Sequence, residues 1–496
     1  MQTLEVTSPW DGSVVKTVAL DRPASVANTA LRLRSAQPAW AAVGAKARAL
    51  WVRRLRDHLL WNVDSLVATL SAETGKPETE ARVEIIFAVE AMRYYAQHAD
   101  AHLRTKPVRT SPATLGLGRV SVHARPYPLV GVISPWNFPF GLAVVDAIPA
   151  LLAGAAVVLK PSELTPLSAM ALVEAWRAIG APDVFDCAIG DGEVGAALVE
   201  EADYVAFTGS TGTGRAIAVR AAERLIPCSL ELGGNDAMIV LADADLERAA
   251  NAAVFGSLCN GGQMCVSVER IYVEADVHDL FVAKLRAKLS TLPAADIAPL
   301  ASAAQSDVVV AHVTEAELSG ATAQTWHDRR GNWHPPTLLL GVTQTMSCVQ
   351  EETFGPLLPI IRVADSDEAV ALSNDTRFGL SATVWTKNPT KADEVASQLE
   401  AGAVNVNCMF SNLFVFDVPQ EGWKSSGIGS RFGGAHAIRR YCREQAVMHS
   451  RLNLAAEPHW FPYSPRTVAT LRVLTNVLRG PAARRAARSH RERGNT

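Results

Sequence analysis

The chain has 496 residues, which is too long for one hydrophobic core and indicates two or three domains. Its 48% hydrophobic and 20% charged residues are typical of a globular protein, and the net charge of −3 gives no reason to expect nucleic-acid binding. Seven cysteines without a CxxC pair fit neither a disulfide framework nor a structural zinc site, so no metal is expected.

The first twelve residues lack a basic segment followed by an apolar core, so no signal peptide is predicted. Apolar runs stay below the ~18 residues that a membrane-spanning helix needs. The sequence therefore predicts a cytoplasmic protein.

The N-terminal hundred residues show apolar residues at helical spacing after a turn at 7–12. Helices are predicted over 25–37, 45–69 and 71–99, and no chemistry is assigned to them. Between 108 and 128, prolines and glycines surround a segment in which Val120, Val122 and Ala124 alternate with polar residues. This alternation predicts a two-stranded ribbon of the kind that pairs with a partner subunit.

Short apolar strands then alternate with helices, which predicts parallel, doubly wound sheets. The predicted strands lie at 129–133, 155–159, 184–189, 204–207, 237–241, 271–273, 338–340, 346–349, 358–363, 403–407 and 446–448. The predicted helices lie at 165–179, 196–200, 215–225, 244–258, 277–289 and 368–374. Residues 292–333 give no clear signal.

A thiol and a carboxylate each lie close to a pair of glycines. Cys265 follows Gly261-Gly262, and Glu231 precedes Gly233-Gly234. Because glycine lets a ligand approach the backbone, the two residues suggest a nucleophile and its base. Asn137 lies between two prolines in PWNFP, where a fixed amide could donate to an oxyanion. The alternatives are a buried structural cysteine and a simple rigid turn.

The turn Gly209-Ser210-Thr211-Gly212 leads from a strand into a helix. Backbone N–H groups at such a helix start favour a pyrophosphate. The turn differs from GxGxxG, and the alternative is that its glycines only let the helix approach the sheet.

Seven motifs in order closely resemble the aldehyde dehydrogenase superfamily over roughly residues 5–450. They are PWNFP at 135–139, LKPSELTP at 159–166, FTGSTGTG at 207–214, LELGGN at 230–235, GGQMC at 261–265, EETFGP at 351–356 and NVN at 405–407. The chain departs from the family pattern in a short interval between Cys265 and Glu352 and in Glu421, which replaces a glycine.

The resemblance implies three catalytic roles. Cys265 would add to the aldehyde carbon, and Asn137 with the Cys265 backbone N–H would hold the oxyanion. After hydride leaves for the nicotinamide, Glu231 would activate water to hydrolyse the thioester.

The resemblance also implies a site for NAD, with NADP as the alternative. Its residues would be Trp136, Lys160, Glu163, Gly192, Gly195, Phe207, Ser210, Leu232, Glu352 and Phe354. A carboxylate such as Glu163 accepts a hydrogen bond from a ribose 2′-hydroxyl and repels a 2′-phosphate, which favours NAD. The alternative for each charged residue is an ordinary surface ion pair.

The substrate pocket implied by the resemblance is apolar and favours an aliphatic or aromatic aldehyde. Its residues would be Phe138, Val145, Met264 and Val266, with the cluster of Phe410, Phe414 and Phe416. Asp146 would lie near the tunnel and relay protons. No arginine is evident that would grip a second carboxylate, so a succinate semialdehyde with NADP is the second choice. A non-catalytic NAD-binding relative and acyl transfer to coenzyme A are further alternatives.

The predicted fold class is α/β, with two doubly wound α/β domains and a small β oligomerisation element. The boundaries are 1–107 with 127–232 for the NAD-binding domain, 233–409 for the catalytic domain, 108–126 with 410–452 for oligomerisation and closing elements, and 453–496 for a basic extension. The resemblance implies a homodimer or homotetramer.

The C-terminal segment combines an apolar stripe with many arginines. Val468, Leu471, Leu474 and Leu478 lie at helical spacing, and residues 466–496 contain eight arginines, no lysine and one glutamate. A helix packed on the body explains this, and the alternative is contact with an anionic membrane surface or another subunit.

Overall fold

The computed structural model describes residues 2–109, 117–450, 455–456 and 460–478. Contacts divide the chain into two compact units. One comprises residues 1–104 with 124–445, and the other residues 105–123 with 446–496. Both large parallel sheets lie in the first unit.

Sixteen α-helices are found in the described residues. They are α1 Pro23–Ala42, α2 Gly44–Trp61, α3 Val63–Thr74, α4 Glu78–Leu103, α5 Pro139–Ala153, α6 Leu167–Ala178, α7 Gly192–Glu201, α8 Thr211–Glu223, α9 Leu246–Leu258, α10 Ala275–Leu289, α11 Ala303–Leu318, α12 Ser347–Gln350, α13 Ser366–Asn374, α14 Pro389–Gln398, α15 Ala435–Arg439 and α16 Pro465–Leu478.

Eighteen strands are found in the same described ranges. They are β1 Thr3–Thr7, β2 Val14–Ala19, β3 Lys106–Pro107, β4 Leu117–Pro126, β5 Leu129–Ile133, β6 Ala156–Lys160, β7 Phe185–Cys187, β8 Tyr204–Thr208, β9 Cys228–Glu231, β10 Asp236–Val240, β11 Val268–Glu274, β12 Thr322–Gln324, β13 Thr337–Leu340, β14 Leu357–Val363, β15 Ser381–Trp385, β16 Ala403–Val406, β17 Gly427–Ile428 and β18 Cys442–Ser450.

The first large sheet has the strand order β17-β9-β8-β5-β6-β7. Strands β9 to β7 of this order are parallel, and only the short β17 pairs antiparallel at the edge. The chain leaves β5 to one side for β6 and β7 and to the other for β8 and β9, so β5 marks the point where the strand order reverses. Ligands of such sheets bind at the carboxyl ends of the strands at this point.

The second large sheet has the strand order β12-β13-β14-β11-β10-β15-β16 and is parallel except for β12. The predicted α/β class with doubly wound parallel sheets is therefore confirmed. A third, three-stranded sheet has the order β18-β4-β3, and its strand β4 lies in the ribbon predicted between 108 and 128. The rest of that ribbon, 110–116, lies outside the described residues.

The main core packs α1, α2, α4, α5 and α6 against the first sheet. All five residues of β5 are buried, as a strand covered on both faces requires. Every residue of α5 except Leu142 is also buried, as expected for a helix whose only charged residue is Asp146.

Several predicted elements were wrong in their limits. The helix predicted over 45–69 breaks at Asn62, and that over 71–99 breaks at Gly75, which has φ +74, before Pro77. The apolar spacing continues across both breaks, which hides them. Segment 346–349 contains helix α12, not a strand, and α11 was missed because few of its residues are buried.

Candidate active site

Cys265 is positioned by a tight turn that follows α9. Asn260, Gly261 and Gly262 all have positive φ, and a Cβ on Gly262 would lie 2.1 Å from the carbonyl oxygen of Gly355. Only glycine fits such a position, which explains the glycine pair before the cysteine. Gln263 fixes the turn, because its side-chain Nε2 donates to the carbonyl oxygens of Asn260 and Pro299 at 2.8 and 3.0 Å.

Asn137 is held against this turn from two sides. Its Nδ2 donates to the Gln263 carbonyl oxygen at 3.0 Å. Its own carbonyl oxygen accepts hydrogen bonds from Lys76 Nζ at 2.9 Å and Asn260 Nδ2 at 3.0 Å. The structure thus brings the predicted amide donor to the turn that carries Cys265.

Glu231 ends β9 beside the same turn. A Cβ on Gly234 would lie 2.0 Å from the Cys265 carbonyl oxygen, so the glycine pair after Glu231 touches the backbone of the cysteine. The Glu231 carboxylate is buried, and its Oε1 has no hydrogen-bond partner. Glu231 does not itself line the two cavities described below.

The thiol and the carboxylate are both shifted toward their neutral forms. Burial raises the pKa of Glu231 to about 7 and that of the Cys265 thiol to about 12. In both cases the strongest opposing influence is the guanidinium of Arg431. A thiol with such a pKa needs a base to become a nucleophile at neutral pH, and Glu231 can accept a proton there.

On one side of Cys265 lies a cavity of about 270 Å³, the cofactor cavity. It is lined by Pro135, Trp136, Asn137, Thr208, Gly209, Ser210, Leu232, Gly233, Cys265, Gln305, Val308, Glu352 and Phe354. Five residues predicted to contact the cofactor are therefore brought together: Trp136, Ser210, Leu232, Glu352 and Phe354. Gln305 and Val308 were missed because α11 gave no sequence signal.

The other predicted cofactor residues lie along the same sheet but do not line this cavity. Lys160 ends β6, and its Nζ lies 3.2 Å from Glu163 Oε2. A Cβ on Gly195 would lie 3.9 Å from Lys160 Cδ, and Gly192 begins the same helix, α7. Phe207 is buried on β8 with its ring beneath Gly209.

The polar groups of the cofactor cavity fit a dinucleotide. Ser210 caps α8 by accepting a hydrogen bond from the Thr213 N–H, and this helix starts just after the carboxyl end of β8, where a helix N-terminus favours an anion. A Cβ on Gly212 would meet no atom within 4 Å, which leaves room for a ligand against the backbone. Glu352 Oε1 accepts from the Gly234 N–H at 2.8 Å, which fixes a carboxylate beside Cys265.

On the other side of Cys265 lies a cavity of about 170 Å³, the aldehyde tunnel. Its lining includes the predicted residues Phe138, Met264 and Val266, and also Phe410 and Phe414. The remaining lining residues are Val83, Glu84, Phe87, Asn137, Leu142, Phe255, Cys259, Cys265, Met409, Leu413, Gln420, Arg431 and Phe432.

Two residues expected in this pocket are packed elsewhere. Val145 is fully buried in the main core, because nearly all of α5 is covered and only Leu142 reaches the tunnel. Phe416 is buried beside Phe87, with ring centroids 5.9 Å apart, and supports the tunnel wall from behind.

Two buried ion clusters near the site carry residues that the sequence analysis missed. Lys76 Nζ lies 2.6 Å from Glu84 Oε2, while Glu84 Oε1 accepts the Phe140 and Gly141 N–H groups at the start of α5. Lys76 therefore ties α4 to the loop of Asn137. In the sequence, Lys76 and Glu84 are single charged residues within a predicted helix to which no chemistry was assigned. Their spacing alone therefore did not mark them as part of the site.

The second cluster contains Asp146, which was expected to relay protons near the tunnel. Asp146 does not line the tunnel. Its carboxylate bonds to Arg431 Nη2 at 3.1 Å and Arg440 Nη2 at 2.6 Å, and Arg431 lines the tunnel instead.

Comparisons with known proteins agree with this geometry. A model described as Aldehyde dehydrogenase family matches residues 1–447. The chain is 40% identical over 472 residues to a 4,4'-diapolycopene aldehyde oxidase of Methylomonas sp, covering 94% of this chain and 89% of that protein. It is also 40% identical over 468 residues to a protein of Mycolicibacterium smegmatis whose name proposes a succinate-semialdehyde dehydrogenase [NADP(+)], covering 91% and 90%.

Among solved structures, the chain is similar to a Mycobacterium tuberculosis aldehyde dehydrogenase complexed with NAD+. The TM-score is 0.85 at 32% identity, and the match covers 92% of this chain and 96% of that one.

Proposed function

The chain belongs to the aldehyde dehydrogenase family, and from this premise we propose that Cys265, Asn137 and Glu231 oxidise a hydrophobic aldehyde to its carboxylic acid. The protein is an oxidoreductase that acts on aldehydes, with NAD or NADP as acceptor. The observation that carries the proposal is that the cofactor cavity and the aldehyde tunnel share only Cys265 and Asn137.

In the first step Glu231 takes the thiol proton, and the Cys265 sulfur adds to the aldehyde carbon. Asn137 Nδ2 has two N–H groups, of which one donates to Gln263, so the second is available to the new oxyanion. A nicotinamide held in the cofactor cavity supplies a hydride acceptor.

Once the aldehyde hydrogen has left as hydride, the carbon is bound to sulfur as a thioester. After Glu231 has released the thiol proton to solvent, it accepts a proton from water as the water attacks this carbon, and the Cys265 thiolate leaves and takes up that proton. The overall change consumes aldehyde, water and oxidised cofactor and yields acid, reduced cofactor and a proton.

The cofactor assignment extends along the sheet. Trp136, Phe354 and Glu352 would contact the nicotinamide half, while Lys160 and Glu163 would contact the adenosine ribose, with Gly192, Gly195, Phe207, Ser210 and Leu232 between and around them. The carboxylate of Glu163 favours NAD over NADP.

The substrate class follows from the tunnel, which is lined mainly by aromatic and aliphatic side chains. Such a lining favours aliphatic or aromatic aldehydes over a semialdehyde acid. Water hydrolysis is favoured over transfer to coenzyme A because Glu231 can serve as a base and is followed by the glycine pair that contacts the Cys265 backbone.

A panel of aldehydes with NAD or NADP, read by absorbance of the reduced cofactor, tests the proposal. We expect turnover of apolar aldehydes with NAD, no dependence on coenzyme A, and no turnover in Cys265→Ala. Thermal stabilisation by NAD without turnover of any aldehyde would instead indicate a binding protein.

The domain roles are proposals as well. We assign NAD binding to 1–107 with 127–232, catalysis to 233–409, and assembly into a homodimer or homotetramer to 108–126 with 410–452. β4 and β18 are paired strands in a sheet of only three, which suits a role in assembly. All seven cysteines are free thiols, which suits a reducing compartment such as the cytoplasm.

The C-terminal helix α16 is our candidate for contact with an anionic membrane surface. Val468, Leu471 and Leu474 are exposed, as are the aromatic rings of Phe461 and Tyr463. α16 also carries Arg466 and Arg472, and apolar and basic residues on one helix are typical of interfacial binding. No described helix has the length and apolarity to cross a bilayer. Cosedimentation with anionic but not neutral vesicles, weakened in Leu471→Asp, is the expected result.

A further inference from the structure

A buried cluster of two arginines and one aspartate, the Arg–Asp cluster, lies beneath the active site. It consists of Asp146 on α5 with Arg431 and Arg440, and all three side chains are 4% exposed. Arg440 Nη2 also donates to the Tyr441 hydroxyl at 2.6 Å, and that hydroxyl lies 3.3 Å from Asp146 Oδ1.

The Arg–Asp cluster is not neutral. Two guanidiniums face one carboxylate, and arginine stays protonated in proteins. Burial opposes the ionisation of Asp146, yet the two arginines hold its pKa below the ordinary value, so the carboxylate is charged. One positive charge therefore remains without a counter-charge inside the cluster, and such a charge is costly in a protein interior.

Glu231 is a buried carboxylate placed to supply that counter-charge. Glu231 Oε1 is a buried acceptor without a partner, and Arg431 Nε is a buried donor without one. The charge of Arg431 acts to lower the pKa of Glu231, and the charge of Glu231 acts to raise the pKa of Arg431. Each group therefore favours the ionised form of the other. The four groups together are neutral only when Glu231 is ionised.

Arg431 is also the member of the cluster that reaches the reaction. It lines the aldehyde tunnel with Cys265, while Asp146 and a hydrogen bond to the Thr208 hydroxyl hold its Nη2 from behind. The arginine is thus fixed in place on the wall that it shares with Cys265, and its charge also acts on Glu231.

We propose that Arg431 is a positioning residue for the oxidation, whose guanidinium favours the ionised forms of Glu231 and Cys265. Asp146 orients this guanidinium, and Arg440 offsets the charge of Asp146. The inference rests on the proposed function for its catalytic meaning, but its effect on the thiol does not depend on turnover.

Other charges also face these groups. Glu231 is influenced by Arg431, Arg440, Asp146 and Glu421, and Cys265 by Arg431, Asp236, Glu352 and Glu231. Arg431 is the strongest favourable influence on both, so its removal should give the largest shift.

The test uses the full-length protein and the variants Arg431→Met, Arg431→Lys and Asp146→Asn. The first readout is the rate at which iodoacetamide alkylates Cys265 at fixed pH, followed on the Cys265 peptide by mass spectrometry. The second is the pH dependence of kcat. Loss of a cation beside an acid raises that acid's pKa by about one to three units.

In Arg431→Met we therefore expect alkylation of Cys265 to slow at least about tenfold. The acid limb of the profile of kcat against pH should move to higher pH. In Asp146→Asn the limb should move to lower pH, because a negative charge is lost while an acceptor for Arg431 remains. Arg431→Lys should lie near wild type. Opposite shifts from the two halves of one ion pair cannot come from loosened packing.

Arg48→Met is the matched control. Arg48 is equally buried, but it bonds backbone carbonyl oxygens between α1 and α5 and lies outside both cavities. This variant should lose thermal stability without moving either pH profile. Asp146 keeps Arg440 and Tyr441 in Arg431→Met, so that variant should still fold.

Unshifted profiles in folded Arg431→Met would overturn the inference, as would a raised KM confined to acidic semialdehydes, which would make Arg431 a carboxylate receptor. If wild type oxidises no aldehyde, the proposed function fails, while slower alkylation in Arg431→Met still supports the effect of Arg431 on the thiol.

Discussion

The cofactor cavity and the aldehyde tunnel meet at one thiol but are lined by different kinds of chemical groups. Strand ends, glycines and the Glu352 carboxylate form the first, whereas aromatic and aliphatic faces of α4, α5 and the 409–432 segment form most of the second. Only Asn137 and Cys265 belong to both. The comparison indicates that recognition is divided between the cavities, while the proposed addition to the aldehyde takes place where they meet.

The difference has a physical origin. A dinucleotide carries phosphates and ribose hydroxyls, which backbone N–H groups and carboxylates satisfy at strand ends. An apolar aldehyde offers one polar atom, so its tunnel needs polar groups only at the reacting end. Substitutions at the junction should therefore affect turnover, and those on either side should affect one ligand.

The largest effect is expected at the junction. Cys265→Ala removes the nucleophile and should lower kcat at least about a thousandfold. NAD affinity, measured by calorimetry, should stay near wild type because the cofactor cavity keeps its other lining residues. A parallel loss of NAD binding would show that the two cavities are not separable in this way.

The next largest loss of turnover is expected in Glu231→Gln. General-base catalysis contributes about a hundredfold or more, so steady-state turnover should fall by that order. If its main task is thioester hydrolysis, rapid mixing should still reveal a burst of reduced cofactor. The absence of a burst would place the loss at thiol activation.

The pH dependence follows from the same carboxyl group. Burial raises the pKa of Glu231 to about 7, and only the ionised form accepts a proton. Wild-type kcat should therefore rise with pH up to about 7 and then level off, and Glu231→Gln should lack this limb. A limb that survives in Glu231→Gln would assign the titration to another group.

Phe414→Ala should affect the tunnel alone. The ring lines the tunnel and meets Phe87 edge to face, with centroids 5.7 Å apart. Losing this apolar contact should raise KM for long apolar aldehydes up to about tenfold without changing KM for NAD. Trp61→Ala is the control, since this highly exposed ring belongs to neither cavity.

The two cavities also differ in how far the sequence predicts them. The cofactor side could be read from short motifs, because glycine turns and strand ends are local features, and Trp136, Ser210, Leu232, Glu352 and Phe354 all line that cavity. The tunnel depends on which face of α4 or α5 points inward, so Val145 was placed there although it is buried in the core.

Residues that act over long sequence distances were the hardest to predict. Arg431 meets Asp146 from 285 positions away, and Lys76 meets Asn137 from 61. No local pattern marks such pairs, because an arginine or lysine in a helical or loop segment usually points to solvent. The parallel sheets, in contrast, follow from the alternation of apolar strands and helices.

The smallest effect on kinetics is expected at Glu163, which would contact the adenosine half of the cofactor. Glu163 is half exposed and paired with Lys160, so its interaction is screened by water. Glu163→Gln removes the repulsion of a 2′-phosphate and should raise the NADP-to-NAD ratio of kcat/KM about threefold to tenfold. Glu193→Gln, at the neighbouring start of α7, is the charge-matched control. An unchanged ratio would mean that Glu163 is an ordinary surface ion pair, and that cofactor choice is made elsewhere along the sheet.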